Sequence, residues 1–328
     1  MQKASPISIR YPVLRVMPYG LLVFQRTEWN IKPRFNREVR SQYNSNSDVV
    51  NQSIEEVQYS GVMTAFAKKR LRRAIQLMVA ISLPKEAQHF KTGKYFKFRV
   101  NFITLTLPFE QGEHTDKSIK SLALDPWIKR MKRKRGLKSY VWRAEKQANG
   151  NLHFHIITDT WIHYQAIRDD WNECLQRFGY IDKFQERHGH RNPNSTDVHA
   201  VWRIKNLAAY FVKYMSKNSK GCDVINGKLW DCSENLKVKD ACEVLLEGTD
   251  LERWDRSRNV ENARVIDDPN FSIVFLDGEG FEKIVTGDLR EKWTAYLKRI
   301  REYERPQRAK PSHSQEVSLA DSSVRIAV

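Results

Sequence analysis

Long apolar runs are missing from this chain. No stretch approaches the ~20 consecutive apolar residues of a membrane span, and the short run Leu21–Phe24 has no small-residue cleavage site behind it. Neither a membrane span nor a secretory leader is therefore expected. Cysteine is scarce. Four cysteines in 328 residues are too few for a disulfide scaffold, and Cys222, Cys232 and Cys242 lack the paired spacing of a zinc site. Reduced thiols in a cytoplasmic protein are the expectation. There is no lipidation signal and no internal repeat. A phosphate-cradling G-x-x-x-x-G-K-[ST] loop is also missing, since Gly227-Lys228-Leu229 lacks the rest, so the chain carries no P-loop motor of its own.

Acidic residues are in deficit, with 39 Asp+Glu against 56 Lys+Arg and a net charge of +17. The excess is uneven: +12 over residues 1–100, +4 over 101–200 and +1 over the remainder. Such a basic first third suggests a polyanionic partner, and nucleic acid is the usual one. Two segments concentrate the charge. Met63–Ile81 reads as a helix carrying Lys68, Lys69, Arg70, Arg72 and Arg73. A shorter helix, opened by Asp125-Pro126 and ended by Gly136, carries Lys129, Arg130, Lys132, Arg133, Lys134 and Arg135. These eleven residues are the candidate DNA contacts, weighed against plain solvated helix faces.

From residue 96 the pattern is orderly. Phe102–Leu107 is rich in β-formers and stopped by Pro108. Tyr140–Gln147 and Leu152–Thr158 read as strands around Asn149-Gly150, a hairpin signal. A helix over Tyr164–Phe178 stops at Gly179, a polar loop spans Glu186–Asp197, a strand spans Val198–Ile204, and a helix covers Leu207–Lys217. This order suits an α+β fold, an antiparallel sheet with helices packed on it in split βαβ, ferredoxin-like fashion. The expected organisation is a basic, helical N-terminal extension (1–95), a core domain (96–220), a C-terminal accessory region (221–302) and a polar tail (303–328).

The segment Leu152-His153-Phe154-His155-Ile156 places two imidazoles on one face of a strand, about 7 Å apart along it, with apolar residues on the other face. A His-x-His pair alone is weak evidence, but such a pair can share a metal ion. The preceding strand offers Glu145, or failing that Gln147, as a third ligand. A two-residue Asn-Gly turn would pair Glu145 with Phe154, on the wrong face. A loop of three or five residues, or a bulge, is required to bring it to the histidines, and such a loop is predicted. A second pair, His188-Gly189-His190, lies in a polar loop without strand alternation. Farther on, Tyr210, Lys213, Tyr214 and Lys217 fall within about one third of a helix circumference. A phenol with a pKa of about 10 is a poor nucleophile at neutral pH. It can attack a phosphodiester if a divalent ion polarises the phosphate and neighbouring lysines favour the phenolate.

Taken together, three stretches resemble the HUH endonuclease superfamily, in particular rolling-circle replication initiators of small single-stranded DNA phages. They are Phe102–Leu107, Glu145-x-Gln147-x-x-Gly150-x-x-His153-Phe154-His155, and Tyr210-x-x-Lys213-Tyr214-x-x-Lys217, in the family's order over roughly residues 100–220. The resemblance implies a metal-dependent nickase acting on single-stranded or hairpin origin DNA in a bacterial host cytoplasm, for a phage or plasmid. His153, His155 and Glu145 would hold Mg2+ or Mn2+. Tyr210 would be the first nucleophile, Tyr214 the second and Lys213 a helper, leaving a 5′-phosphotyrosine and a free 3′-OH. Host helicase and polymerase would be the partners, and no membrane is implied. A transposase or relaxase of the same superfamily, and a non-catalytic DNA-binding regulator, are the alternatives.

Overall fold

A computed structural model describes residues 8–29, 63–89, 92–202, 211–212, 224–238 and 240–303. Within them the elements run β1 (Ser8–Met17), β2 (Gly20–Trp29), α1 (Ala65–Ile81), β3 (Lys85–Gln88), β4 (Tyr95–Phe98), β5 (Val100–Leu105) and α2 (Asp125–Arg135). Next come β6 (Tyr140–Lys146), β7 (Leu152–Thr158), α3 (Tyr164–Leu175), α4 (Tyr180–His188), β8 (Thr196–Val201), β9 (Trp230–Cys232) and β10 (Cys242–Leu245). The chain then forms α5 (Gly248–Arg258), β11 (Arg264–Asp268), β12 (Phe271–Phe275), α6 (Gly278–Ile284) and α7 (Gly287–Glu302). The fold is α+β with antiparallel sheets. No described helix is long and apolar enough to cross a membrane.

Five strands in the order β8-β5-β7-β6-β9 form the central sheet. Alternation divides its side chains between two layers. On one face Ile103, Leu105, Trp142, Ala144, Leu152, Phe154 and Ile156 pack with Trp127, Ile128 and Met131 of α2 and Ile167, Trp171 and Leu175 of α3. On the other, Val100, Val141, Ile157 and Cys232 join a cluster built around Leu71, Ile75 and Met78 of α1. Thr64 caps α1 by accepting from the Ala67 amide at 3.1 Å. The second half of α1 is apolar nearly all round and correspondingly buried, whereas its first half is basic and reaches the surface.

The second sheet, β10-β1-β2-β12-β11, covers the far side of α1 together with α5, α6 and α7. Residues 1–95 were expected to be a helical extension. They open instead with a hairpin of two ten-residue strands, joined through Pro18-Tyr19 with Tyr19 at φ 60°. Gly20 is needed there because an added Cβ would lie 2.8 Å from the Val274 carbonyl of the neighbouring strand. The hairpin pairs with β10 on one side and β12 on the other. Segments from the two ends of the chain thus share one layer. Two local expectations also shift. Residues 116–124 are already helical, so Asp125 lies within a helix rather than capping one, while Gly136 ends it in the left-handed conformation as expected. Helix α4 runs through Glu186-Arg187-His188, and β8 begins at Thr196 and ends at Val201, two and three residues ahead of the sequence reading.

Candidate metal centre

The hairpin between β6 and β7 positions the site. Gln147 donates its amide to Asn151 at 2.8 Å, Gly150 donates back to the Gln147 carbonyl at 2.9 Å, and Gly150 takes φ 78°. Three residues therefore bridge the closing pair, with glycine in the left-handed position that a three-residue turn demands. The resulting register opposes Glu145 to His153 and Arg143 to His155. This is the loop that the histidine face requires. Glu145, rather than Gln147, supplies the carboxylate.

Three ligand-type atoms converge. His153 Nε2 lies 2.9 Å from His155 Nε2, and Glu145 Oε2 lies 3.2 Å from His155 Nε2 and 3.5 Å from His153 Nε2. Among the described residues, this is the one group of three that could hold a metal ion. The size of the triangle fits. Two ligands each ~2.1 Å from a common ion stand about 3 Å apart at near-right angles and somewhat more at tetrahedral ones. The donor set fits as well, because two imidazoles and one carboxylate on one side leave positions open on the other. A proton between two of these atoms satisfies that pair; a cation satisfies all three at once.

Neighbouring groups hold the triad in place. His155 Nδ1 is 3.3 Å from the Thr104 hydroxyl, so the ring is oriented through its second nitrogen. Its face stacks on Phe102, with centroids 5.2 Å apart, and Phe102 stacks in turn on the fully buried Phe211 at 5.7 Å and 12°. His153 Nδ1 is buried and has no hydrogen-bond partner among the described residues. Arg143 Nη1 approaches the second carboxylate oxygen of Glu145 at 3.1 Å. Burial by itself would raise the Glu145 pKa. The hydrogen bonds with both imidazoles and the charge of Arg143 outweigh it and bring the carboxyl down to about 2. Burial pushes the Arg143 guanidinium down from its usual range, and Glu145 only partly offsets that.

Other sequence-derived candidates lie elsewhere. Lys68, Lys69, Arg70, Arg72 and Arg73 occupy the surface-reaching half of α1, on the same side of the sheet as the triad. Arg73 donates to the carbonyls of Val238 and Asp240, both at 3.1 Å. Lys129, Arg130, Lys132, Arg133, Lys134 and Arg135 lie on α2, in the layer behind the sheet. There Arg130 pairs with Asp170 and Glu173. His188 and His190 both pack against Phe184, at 4.4 and 5.1 Å. Tyr210, Lys213 and Tyr214 lie outside the described residues, although Phe211 and Val212, between Tyr210 and Lys213, are helical. Sequence reasoning missed Thr104 and the buried role of Arg143. Strand parity signals both, once β5 is known to lie beside β7.

Residues 100–219 match a family model of replication-associated proteins, the ORF2 group. The match supports a replication initiator. No curated protein and no solved structure matches the chain. The matched segment contains the whole triad, the Thr104 and Phe102 supports, and Phe211.

Proposed function

We propose that this chain is an HUH-type replication initiator that nicks single-stranded origin DNA in rolling-circle replication of a phage or plasmid. The observation that carries the reading is the Glu145–His153–His155 triangle, standing on a sheet within the segment that matches replication-associated proteins. In this reading the three side chains hold Mg2+ or Mn2+. The bound ion would draw electron density from the scissile phosphate and stabilise charge on its oxygens.

The protein supplies the rest. Thr104 and Phe102 fix the His155 ring, and Arg143 keeps Glu145 anionic at any pH at which DNA is handled. Tyr210 is the first nucleophile. Its covalent neighbour Phe211 is tied to His155 through the stacked Phe102, and adjacent Cα atoms are about 3.8 Å apart, which supports a phenol within reach of the phosphate. The phenol loses its proton and its oxygen bonds to phosphorus. The bond from phosphorus to the 3′ oxygen breaks, and that oxygen takes up a proton as the free 3′-OH. Lys213 favours the phenolate, and Tyr214 serves the second cleavage that closes a round. Origin DNA, host helicase and host polymerase are the partners of this reading.

The test is to incubate the protein with single-stranded oligonucleotides of varied sequence and Mn2+, and to look for a denaturation-resistant adduct. Adduct is expected from the wild type, and none, or strongly reduced amounts, from Tyr210→Phe. His153→Ala should retain much of the DNA affinity and lose cleavage. Undiminished adduct from Tyr210→Phe would remove Tyr210 as first nucleophile. Cleavage surviving His153→Ala after stringent chelation would remove the metal site. No adduct under any sequence or metal would leave a basic DNA-binding regulator.

A further inference from the structure

We infer that Phe66, Arg70 and Trp230 form a stacking platform for an unpaired base of the strand that leads into the metal centre. The inference rests on the nickase reading above. Cross-strand pairing sets Trp230 of β9 opposite Arg143, Arg143 opposite His155, His155 opposite Thr104, and Thr104 opposite Asp197. Directly opposed residues of antiparallel strands share a face. Trp230 therefore lies in the same row as the metal-facing His155, two strands away, or about 10 Å.

Helix α1 supplies the other two groups. Phe66 and Arg70 are one turn apart on its surface-reaching half. The Arg70 guanidinium stands 5.9 Å from the Phe66 ring centre and 5.8 Å from the Trp230 ring. Phe66 is 70% exposed and Arg70 is exposed, while Trp230 is half-buried at the edge of the α1 cluster. Leaving a phenylalanine in water forgoes about 1.5–3 kcal/mol of burial. A guanidinium between two aromatic rings, on the most basic segment of the chain, fits one occupant well. A nucleobase stacks on the aromatic faces and the guanidinium plane while its phosphates meet Lys68, Lys69 and Arg72. The span to His155 is about three stacked nucleotides at ~3.4 Å each, or fewer if the strand is extended. The base so held would lie within about three nucleotides of the scissile phosphate.

Stacking and charge are separable by experiment. Binding of fluorescein-labelled dT12 is compared with that of an equally charged abasic dodecamer, both in EDTA, using the full chain. The wild type should bind dT12 about tenfold or more tighter than the abasic strand. Phe66→Ala should bring that ratio toward one and leave abasic binding unchanged. Arg70→Lys, which keeps the charge and loses the plane, should lower the ratio with an unaltered salt slope. Phe66 is exposed, so its variant is expected to fold. Trp230→Leu, which touches the cluster edge, is the second arm. A wild-type ratio near one, or a ratio unmoved by Phe66→Ala, overturns the platform and leaves the nickase reading standing. If the wild type binds neither strand, the nucleic-acid reading beneath it falls.

Discussion

Replacing Glu145 by glutamine keeps shape and removes charge, and two consequences follow from the geometry. The carboxyl is held at about 2 against an ordinary 4.5, so its anionic form is favoured in the fold by about 3 kcal/mol at neutral pH. Its side chain is only 19% exposed, so solvent screening removes little of this. The substitution also takes the Glu145 counter-charge from the Arg143 guanidinium, 6% exposed, and breaking one half of a buried pair costs about 3–5 kcal/mol. Because these are two views of one interaction they do not add, and a loss of about 3 kcal/mol is expected without metal. The sign with pH follows from the depressed value. The contribution is complete above 4.5 and vanishes as pH falls to about 2, so wild type and variant should converge across that window. Mn2+ at a hundred times its dissociation constant should add about 2.7 kcal/mol to the wild type and little to the variant. Urea denaturation at pH 7 and pH 3, each with EDTA or Mn2+, reads all of these terms. Equal metal-free stabilities at pH 7 would refute the charge argument. Equal stabilisation of both proteins by Mn2+ would remove Glu145 from the ligand set.

Two further perturbations address the supports. Thr104→Val removes the hydroxyl 3.3 Å from His155 Nδ1 and should weaken Mn2+ binding by about 10–100-fold in a titration while leaving the fold intact; unchanged affinity would mean that the stack on Phe102 alone orients the ring. Lys120 is buried, which pushes its ammonium down to about 8 from an ordinary 10.5, so the unfolded chain binds more protons between these values and wild-type stability should rise with pH across that window, by up to about 3 kcal/mol relative to Lys120→Met. A difference that stays flat from pH 8 to 10.5 would show that the amine is solvated.

The site was legible because its logic is local. Alternation put His153 and His155 on one face, and counting residues around Asn149-Gly150 showed which loop lengths bring Glu145 to them. The bounds of α2 and α3 followed from Pro126, Gly136 and Gly179, each of which enforces a backbone geometry. What escaped was non-local. Nothing in Ser8–Trp29 specifies that its partners come from residues 242–275, because backbone pairing carries no address beyond matching apolar faces. Charge misled in a related way. A run of Lys and Arg announces the sign of a partner and not the layer a helix will occupy, so α1 and α2 looked equivalent although they flank opposite faces of the sheet.

Strand β6 shows why site and fold are hard to separate. Tyr140, Val141 and Trp142 are all buried, one face against α1 and the other against α2 and α3. Apolar patterning there would accept a one-residue slip with little penalty, since both layers want large apolar groups. The discrimination comes from the next residues. A slip would drive Arg143 and Glu145 toward Phe154 and Trp171 and turn Ala144 to the histidines. Uncompensated burial of even one of those charges costs more than any single apolar contact in the strand. The residues that hold the candidate metal centre are thus also the ones that fix the hairpin register. Substitutions that neutralise both Arg143 and Glu145 should therefore loosen the β6–β7 pairing itself as well as the site.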